Sequence, residues 1–298
     1  MKTVQIIAVA SGWGARDKGC EDGPDALHAA GLAAHLQAQG LPAEWQTTLL
    51  PADGQERLAI VTEVCQRLAN QTAAVFSSGG LPLVIGGDHS CAIGTWSGMC
   101  ACLHGPLGLI WIDAHMDSHT PQTSPSGALH GMPLACLLGY GEPALTNLIV
   151  PGPKLLPQHV CLIGVRSFEI EEAALLERLG VRVFHMAEVH RRGMDVVFRD
   201  ALEITQNGTV GFGISIDLDA LDPREEPGVG SPAQDGVLGR EFVHALRQVA
   251  GNPRLLALEI AEYNPHRDRN GSTARMALEL AAAALTSDAE TGKFASPE

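Results

Sequence analysis

Apolar runs that lack alternating polar positions recur along this chain and constrain its fold most strongly. Strands buried on both faces of a parallel sheet have this pattern, whereas half-exposed strands alternate apolar and polar side chains. The pattern predicts seven strands, at residues 4–9, 81–85, 107–112, 160–163, 181–184, 210–216 and 255–260.

Segments with helical periodicity separate these runs. We predict helices at residues 24–39, 56–77, 169–179, 194–206, 240–249 and 272–285. Strands that alternate with helices predict a mainly parallel sheet covered on both faces, that is, a three-layer α/β/α sandwich. Because no linker, repeat or low-complexity block interrupts the 298 residues, we expect one domain over residues 1–298.

Composition excludes several classes of function. The net charge of -14 argues against nucleic acid as a partner, since phosphate binding needs a basic face. The seven cysteines form no CxxC pair and lie mostly in apolar runs, which favours a reducing compartment. No segment approaches the roughly 20 apolar residues that span a bilayer, and the amino terminus resembles a strand more than a signal peptide. We therefore expect a cytoplasmic protein without membrane contacts.

Two acidic motifs follow predicted strands directly. Asp113, His115 and Asp117 occupy alternate positions after the strand 107–112, and Asp217 and Asp219 follow a β-branched run. Alternate residues of an extended backbone point the same way, so each motif converges on one spot. Burying such carboxylates without a cation is very costly. Five ligands of this kind indicate two metal ions that share carboxylates and activate water.

Three further residues lie near predicted strand ends, where ligands collect in open α/β sheets. His89, in the segment GGDHS, is a candidate ligand, with a surface turn as the alternative. Glu262, in EIAEYNP, is a candidate for binding a cationic group, although a lone terminal glutamate is usually solvated. Asp222, which precedes a proline, is assigned to a turn.

In this order, GGDHS, DAHMD, SGALHG, SIDLDALDP and EIAEYNP resemble the signatures of the arginase/agmatinase (ureohydrolase) family. The resemblance extends from the Glu21-Asp22-Gly23-Pro24 turn to about Leu285. It implies an α/β/α fold, two Mn²⁺ per chain, and hydrolysis of a guanidino group to urea and an amine. It also implies a homo-oligomer, either a trimer or a hexamer.

The resemblance also implies site roles. One ion would be bound by His89, Asp113, Asp117 and Asp217. The other would be bound by Asp113, His115, Asp217 and Asp219. Glu262 is implied to hold the guanidinium, and Asp117 to pass a proton to the leaving amine. His130 matches a histidine that shuttles protons between solvent and the site, with an ordinary loop histidine as the alternative.

The loop between Asp117 and His130 resembles the arginase loop that binds the α-carboxylate and α-amine of L-arginine. Ser124 and Ser126 fall where arginases carry hydroxyl donors, whereas His119 and Ala128 fall where they typically carry asparagines. Glu169 falls in the loop near the α-amine, with a helix N-terminal carboxylate as the equal alternative.

L-Arginine is therefore the first choice of substrate. Agmatine, guanidinobutyrate or another guanidino compound is the alternative. A metal-bound, non-catalytic family member and a binuclear phosphoesterase are less favoured, because the full set of ligand positions and the motif order argue against each.

Overall fold

The computed structural model describes residues 2–52 and 54–286, and its centre is an eight-stranded sheet in which all neighbouring strands are parallel. The spatial order is β2-β1-β3-β8-β7-β4-β5-β6. The strands are β1 (Val4–Val9), β2 (Ala43–Leu49), β3 (Leu81–Gly86), β4 (Leu107–Ile112), β5 (Val160–Val165), β6 (Arg182–His185), β7 (Gly211–Asp217) and β8 (Leu255–Ala261).

Helices cover both faces of this sheet, which confirms the predicted three-layer architecture. They are α1 (Gly23–Ala29), α2 (Leu32–Ala38), α3 (Arg57–Ser77), α4 (Ala92–Cys102), α5 (Pro133–Leu137), α6 (Pro143–Thr146), α7 (Ile170–Leu179), α8 (Met186–Arg192), α9 (Met194–Gln206), α10 (Gly239–Leu246) and α11 (Ser272–Leu285). Within residues 2–52 and 54–286, no helix combines the length and apolar character required to cross a membrane.

Burial on both faces explains the unbroken apolar runs. In β4, Ile112 packs into the same cluster as Phe198 of α9, whereas Leu109 and Trp111 pack on the opposite face with Trp96 of α4. Successive side chains of a strand point to opposite faces, so every position of such a strand needs an apolar residue.

The structure corrects the predicted helix 24–39, which is two helices, α1 and α2. The chain breaks at Gly31, whose φ of 84° lies in the left-handed region that glycine adopts without steric cost. The apolar spacing continues across the break, because Leu27, Leu32 and Leu36 all face the core. Periodicity alone therefore could not show the interruption.

Five elements of the structure were absent from the sequence prediction, namely β2, α4, α5, α6 and α8. Two of them show why. Strand β2 lies at the sheet edge, and most of its side chains are partly or fully exposed, so it lacks an apolar run. Helix α4 is apolar on nearly every side, which removes the amphipathic signal. Its Gly98 packs against α3 so closely that an added Cβ would lie 2.3 Å from the carbonyl oxygen of Ala69.

The strand order determines where the sequence motifs meet. Strands β3, β8, β7 and β4 are neighbours at the centre of the sheet, and their carboxyl ends share one edge. The last residues of these four strands and the segments that follow them contain all the predicted metal ligands and Glu262.

Candidate metal centre

The carboxyl ends of β3, β4 and β7 bring four predicted ligands together. His89 lies in the 3-10 turn that follows β3, Asp113 and Asp117 follow β4, and Asp217 is the last residue of β7. One ligand atom from each of these residues lies within 4.8 Å of the others, and all four side chains are buried. This spacing is compatible with one shared cation.

A second group lies beside the first and shares Asp113 with it. Its members are Asp113, His115 and Asp219, again with ligand atoms within 4.8 Å of one another. Asp217, which the sequence predicts to hold both ions, lies with the first group. Its Oδ2 lies 3.2 Å from His89 Nδ1, whereas its Oδ1 accepts the N–H of Asp219 at 2.8 Å.

Two buried atoms provide a test of whether a metal ion fits the first group. His89 Nδ1 and Asp117 Oδ2 have no hydrogen-bond partner among the described residues. They lie 3.1 Å apart without the alignment of a hydrogen bond. Unpartnered buried polar atoms are costly, and nearly all such atoms in native proteins are paired. A cation bound between them would satisfy both atoms, so the residues fit a metal.

The raised pKa values of the buried carboxylates also indicate a metal site. Burial, and then the charge of Asp113, raise the pKa of Asp117 to about 7. Burial also raises the pKa of Asp217 well above its usual range, and the charges of Asp219 and Asp113 raise it further. These carboxylates repel one another in a poorly solvated site, and a nearby cation would favour their ionised forms.

A chain of hydrogen bonds fixes the orientation of His89. Its Nε2 lies 3.0 Å from Ser215 Oγ, and that hydroxyl donates to Oε2 of the buried Glu259 at 2.6 Å. Glu259 Oε2 also accepts the indole N–H of Trp96 at 3.0 Å. Because the Ser215 proton is donated to Glu259, Nε2 of His89 carries the proton that Ser215 accepts. Nδ1 is then left with a free lone pair for a metal.

Trp111, in β4, contacts two of the predicted metal ligands, Asp113 and His89. Its indole N–H donates to Asp113 Oδ2 at 2.8 Å, and its ring stacks on His89 with centroids 4.2 Å apart. The sequence analysis missed both Trp111 and Ser215. Each lies two residues before a metal-type aspartate in its own strand, and this spacing is the signal that would have found them.

Glu262 lies just after β8 and is paired with the loop histidine His130. Its Oε1 accepts the backbone N–H of His89 and faces His130 Nδ1, both at 2.9 Å. Burial lowers the pKa of His130, but the Glu262 carboxylate outweighs this effect and raises the pKa to about 9. Asp117 and Glu262 both have positive φ angles, of 47° and 66°, a conformation that is uncommon outside glycine.

Only some of the residues predicted to bind the α-carboxylate and α-amine of the substrate lie in one cleft. A cleft of about 280 Å³ beside the two groups is lined by His119, Ser126, His130 and Glu169, among others. Ser124 is not among its lining residues, and its hydroxyl accepts the N–H of Gly127 at 3.0 Å.

His119 is held on the wall of the cleft by both ring nitrogens. Nε2 lies 2.9 Å from Glu169 Oε2, and Nδ1 lies 3.1 Å from Thr123 Oγ1. Glu169 also forms a capping box with Glu172 at the start of α7, so its helix-capping contact and its cleft position occur together. The backbone N–H of His119 donates to the carbonyl of Gly131 at 3.0 Å, which ties together the two ends of the loop.

Comparisons with known proteins agree with this geometry. Residues 2–286 match the model of the arginase family. The chain is 39% identical over 290 residues to the arginase of Bacillus caldovelox, covering 94% of this chain and 97% of that protein. It is 36% identical over 286 residues to the arginase of Bacillus subtilis, covering 94% and 96% respectively.

Solved structures show the same relationship. The native arginase structure from Bacillus caldovelox superposes with a TM-score of 0.92 at 37% identity, covering 95% of this chain and 98% of that one. The crystal structure of the Bacillus subtilis arginase gives a TM-score of 0.90 at 36% identity, with the same coverage. The chain therefore belongs to the arginase family.

Proposed function

We propose that this protein is a binuclear manganese hydrolase that cleaves L-arginine to L-ornithine and urea. The observation that carries the proposal is the pair of ligand groups that share Asp113, with the unpartnered atoms of His89 and Asp117, beside a cleft. Relatives 36–39% identical over nearly the whole chain are named arginases, which supports arginine as the substrate.

The two ions are assigned to the buried residues of both groups. His89, Asp113, Asp117 and Asp217 would hold one ion, and Asp113, His115, Asp217 and Asp219 the other. Asp217 would contribute to both ions, and its Oδ1 also accepts the N–H of Asp219 at 2.8 Å. Carboxylate and imidazole ligands suit Mn²⁺. When bound, the ions supply Lewis acidity that lowers the pKa of water towards neutrality.

The protein side chains bind the substrate and move protons. Glu262 holds the guanidinium by charge-assisted hydrogen bonds. The oxygen of water forms a bond to the guanidinium carbon, and the bond from that carbon to the substrate Nε breaks. Asp117 passes the proton of the attacking water to the leaving amine. His130, which faces the cleft and contacts Glu262, exchanges protons with solvent.

The far end of L-arginine is assigned to the loop residues. Ser126 and Ser124 would donate hydroxyls to the α-carboxylate, with His119 replacing a lost amide donor, and Glu169 would attract the α-amine. Ser124 Oγ accepts the N–H of Gly127 and can still donate its own O–H, whereas His119 must give up a present contact because both of its ring nitrogens have partners.

The remaining assignments concern the whole protein. We propose a single domain, supported by one sheet that takes strands from both halves of the chain. The presence of seven unpaired cysteines supports a reducing, cytoplasmic location. A homo-oligomer, trimer or hexamer, is proposed from family resemblance, and size-exclusion chromatography with light scattering measures it.

Urea release by the wild-type protein tests the function directly. Supplied with Mn²⁺, it should release urea from L-arginine with a higher kcat/KM than from agmatine or guanidinobutyrate. Activity should fall on chelation and return with Mn²⁺. If another guanidino compound is the better substrate, arginine is the wrong assignment. If none releases urea, the hydrolase proposal fails.

Replacing shared metal ligands should remove metal. Asp113→Asn and Asp217→Asn should each lose both ions and all measurable activity, because each residue would hold both ions. Asp222→Asn is the matched control and should keep both ions, since Asp222 Oδ1 accepts the N–H of Arg224 at 2.9 Å within its turn. Elemental analysis of the purified variants measures the metal content. Two ions per chain in Asp113→Asn or Asp217→Asn would exclude a shared-ligand role for that residue.

Removing the imidazole of His130 should slow turnover without removing metal. The raised pKa, about 9, keeps this imidazole protonated at neutral pH, and its contribution to kcat should decline as pH rises above that value. His130→Asn should lower kcat by about 10²–10⁴-fold, the usual contribution of a general acid–base group. His104→Asn, on an exposed turn before β4, is the control. An unchanged kcat at every pH would refute the role.

Removing His119 should affect arginine more than agmatine, which lacks the α-carboxylate. One hydrogen bond to a charged group contributes about 1.5–3 kcal/mol, so His119→Ala should raise the KM for arginine about tenfold to hundredfold. The KM for agmatine should hardly change, and His104→Ala should change neither. Equal increases for both substrates would show that His119 does not recognise the carboxylate.

A further inference from the structure

The two carboxylate oxygens of Glu262 have different surroundings. Oε1 is contacted by the N–H of His89 and by His130 Nδ1. Oε2 has one hydrogen-bond donor among the described residues, the thiol of Cys20, at 3.2 Å. Cys20 and Glu262 are separated by 242 positions in the chain, and both side chains are buried.

The turn that carries Cys20 is packed tightly against the segment that follows Glu262. Cys20 lies in the 3-10 turn Gly19–Asp22, just before α1. An added Cβ on Gly19 would lie 2.5 Å from Asn264 Nδ2, and one on Gly23 would lie 2.3 Å from the carbonyl oxygen of Tyr263. Glycines on both sides of the thiol therefore permit an approach that fixes it beside Glu262.

A third segment closes around the same oxygen. An added Cβ on Gly230 would lie 2.4 Å from Glu262 Oε2 and 3.0 Å from Cys20 Sγ. The carboxylate group is therefore confined by the loop at Gly230 and by the turn at Cys20, as well as by its hydrogen bonds. Of these contacts to Oε2, only the thiol supplies a hydrogen-bond donor.

Cys20 remains a thiol in these surroundings. Burial raises its pKa, and the negative charge of Glu262 raises it further. A protonated thiol donates a hydrogen bond and is neither a nucleophile nor a metal ligand. Because a thiol is a weak donor, it orients the carboxylate while leaving its negative charge available to another partner.

We propose that Cys20 is a positioning residue, which holds the Glu262 carboxylate in the orientation that binds the guanidinium of the substrate. The inference rests on the proposed function, in which Glu262 binds that group. It assigns to the amino-terminal turn a part in substrate affinity that acts entirely through Glu262, with no contact between Cys20 and the substrate.

Cys20→Val tests this role because it removes the donor and keeps a side chain of similar size. The kcat/KM for arginine should fall about twofold to fivefold, the lower part of the range for one hydrogen bond, because a thiol is a weak donor. The Ki of L-ornithine, which lacks the guanidino group, should stay at the wild-type value. Cys20→Ser, which restores a donor, should recover most of the loss. Cys20→Ala gives the same comparison if the valine variant does not fold.

Cys161→Val is the matched control, since Cys161 is buried in β5 and its thiol faces the carbonyl of Ala201. This variant should retain wild-type kcat/KM and Ki. An unchanged kcat/KM in Cys20→Val, a parallel loss of ornithine binding, or no recovery with serine would each overturn the positioning role. If the wild-type protein releases urea and Cys20→Val does so with unchanged kcat/KM, only the positioning role of Cys20 is refuted. If the wild-type protein releases no urea, the proposed function fails as well.

Discussion

Buried negative charge at one edge of the sheet is the constraint on which the rest of this structure depends. Four aspartates of the two ligand groups are packed within a few ångströms of one another inside the protein, at Asp113, Asp117, Asp217 and Asp219. Like charges repel strongly where water is scarce. Among the described residues, no Lys or Arg side chain lines the cleft, and the guanidinium of Arg166 donates to backbone carbonyls such as that of Asp219, not to these carboxylates. An all-parallel sheet brings these residues together because every strand ends at the same edge. A pair of bound cations would offset the repulsion.

Hydrogen-bond partners distinguish the carboxylates that are available to a cation from those that support the site. Glu259 accepts hydrogen bonds from Trp96 and Ser215 and is linked to His89 through Ser215, so its Oε2 already has donors. Asp117 Oδ2 is equally buried but has no donor among the described residues. Glu262 lies between these cases, with two contacts at one oxygen and a weak thiol donor at the other. Acidic side chains at this edge thus differ in their hydrogen-bond donors, and this difference separates the supporting carboxylate from those with a proposed ligand or substrate-binding role.

Local patterns in the sequence were enough to predict the sandwich, most strands and the positions of the metal-type residues. Those predictions rest on unbroken apolar runs and on alternation over a few residues, which short segments determine by themselves. Contacts between distant segments could not be predicted from the sequence, because they depend on a strand order that no local pattern specifies. His119 and Glu169 are 50 positions apart. Cys20 follows β1 and Glu262 follows β8, and the two residues meet because both strands flank β3 in the sheet. Helix α4 was missed because its apolar surface is buried on all sides.

The loop that carries His119 closes on itself through the bond from its backbone N–H to Gly131, while the metal-type residues are borne by strand ends. The loop residues proposed to contact the far end of the substrate are therefore anchored separately from the metal-type residues, although His130 lies inside the loop and contacts Glu262. After gene duplication, a descendant can exchange the residues between His119 and His130 and change the proposed substrate specificity, provided that His130 and the strand ends are kept. The same residues are the ones to randomise in the laboratory when the specificity is to be altered.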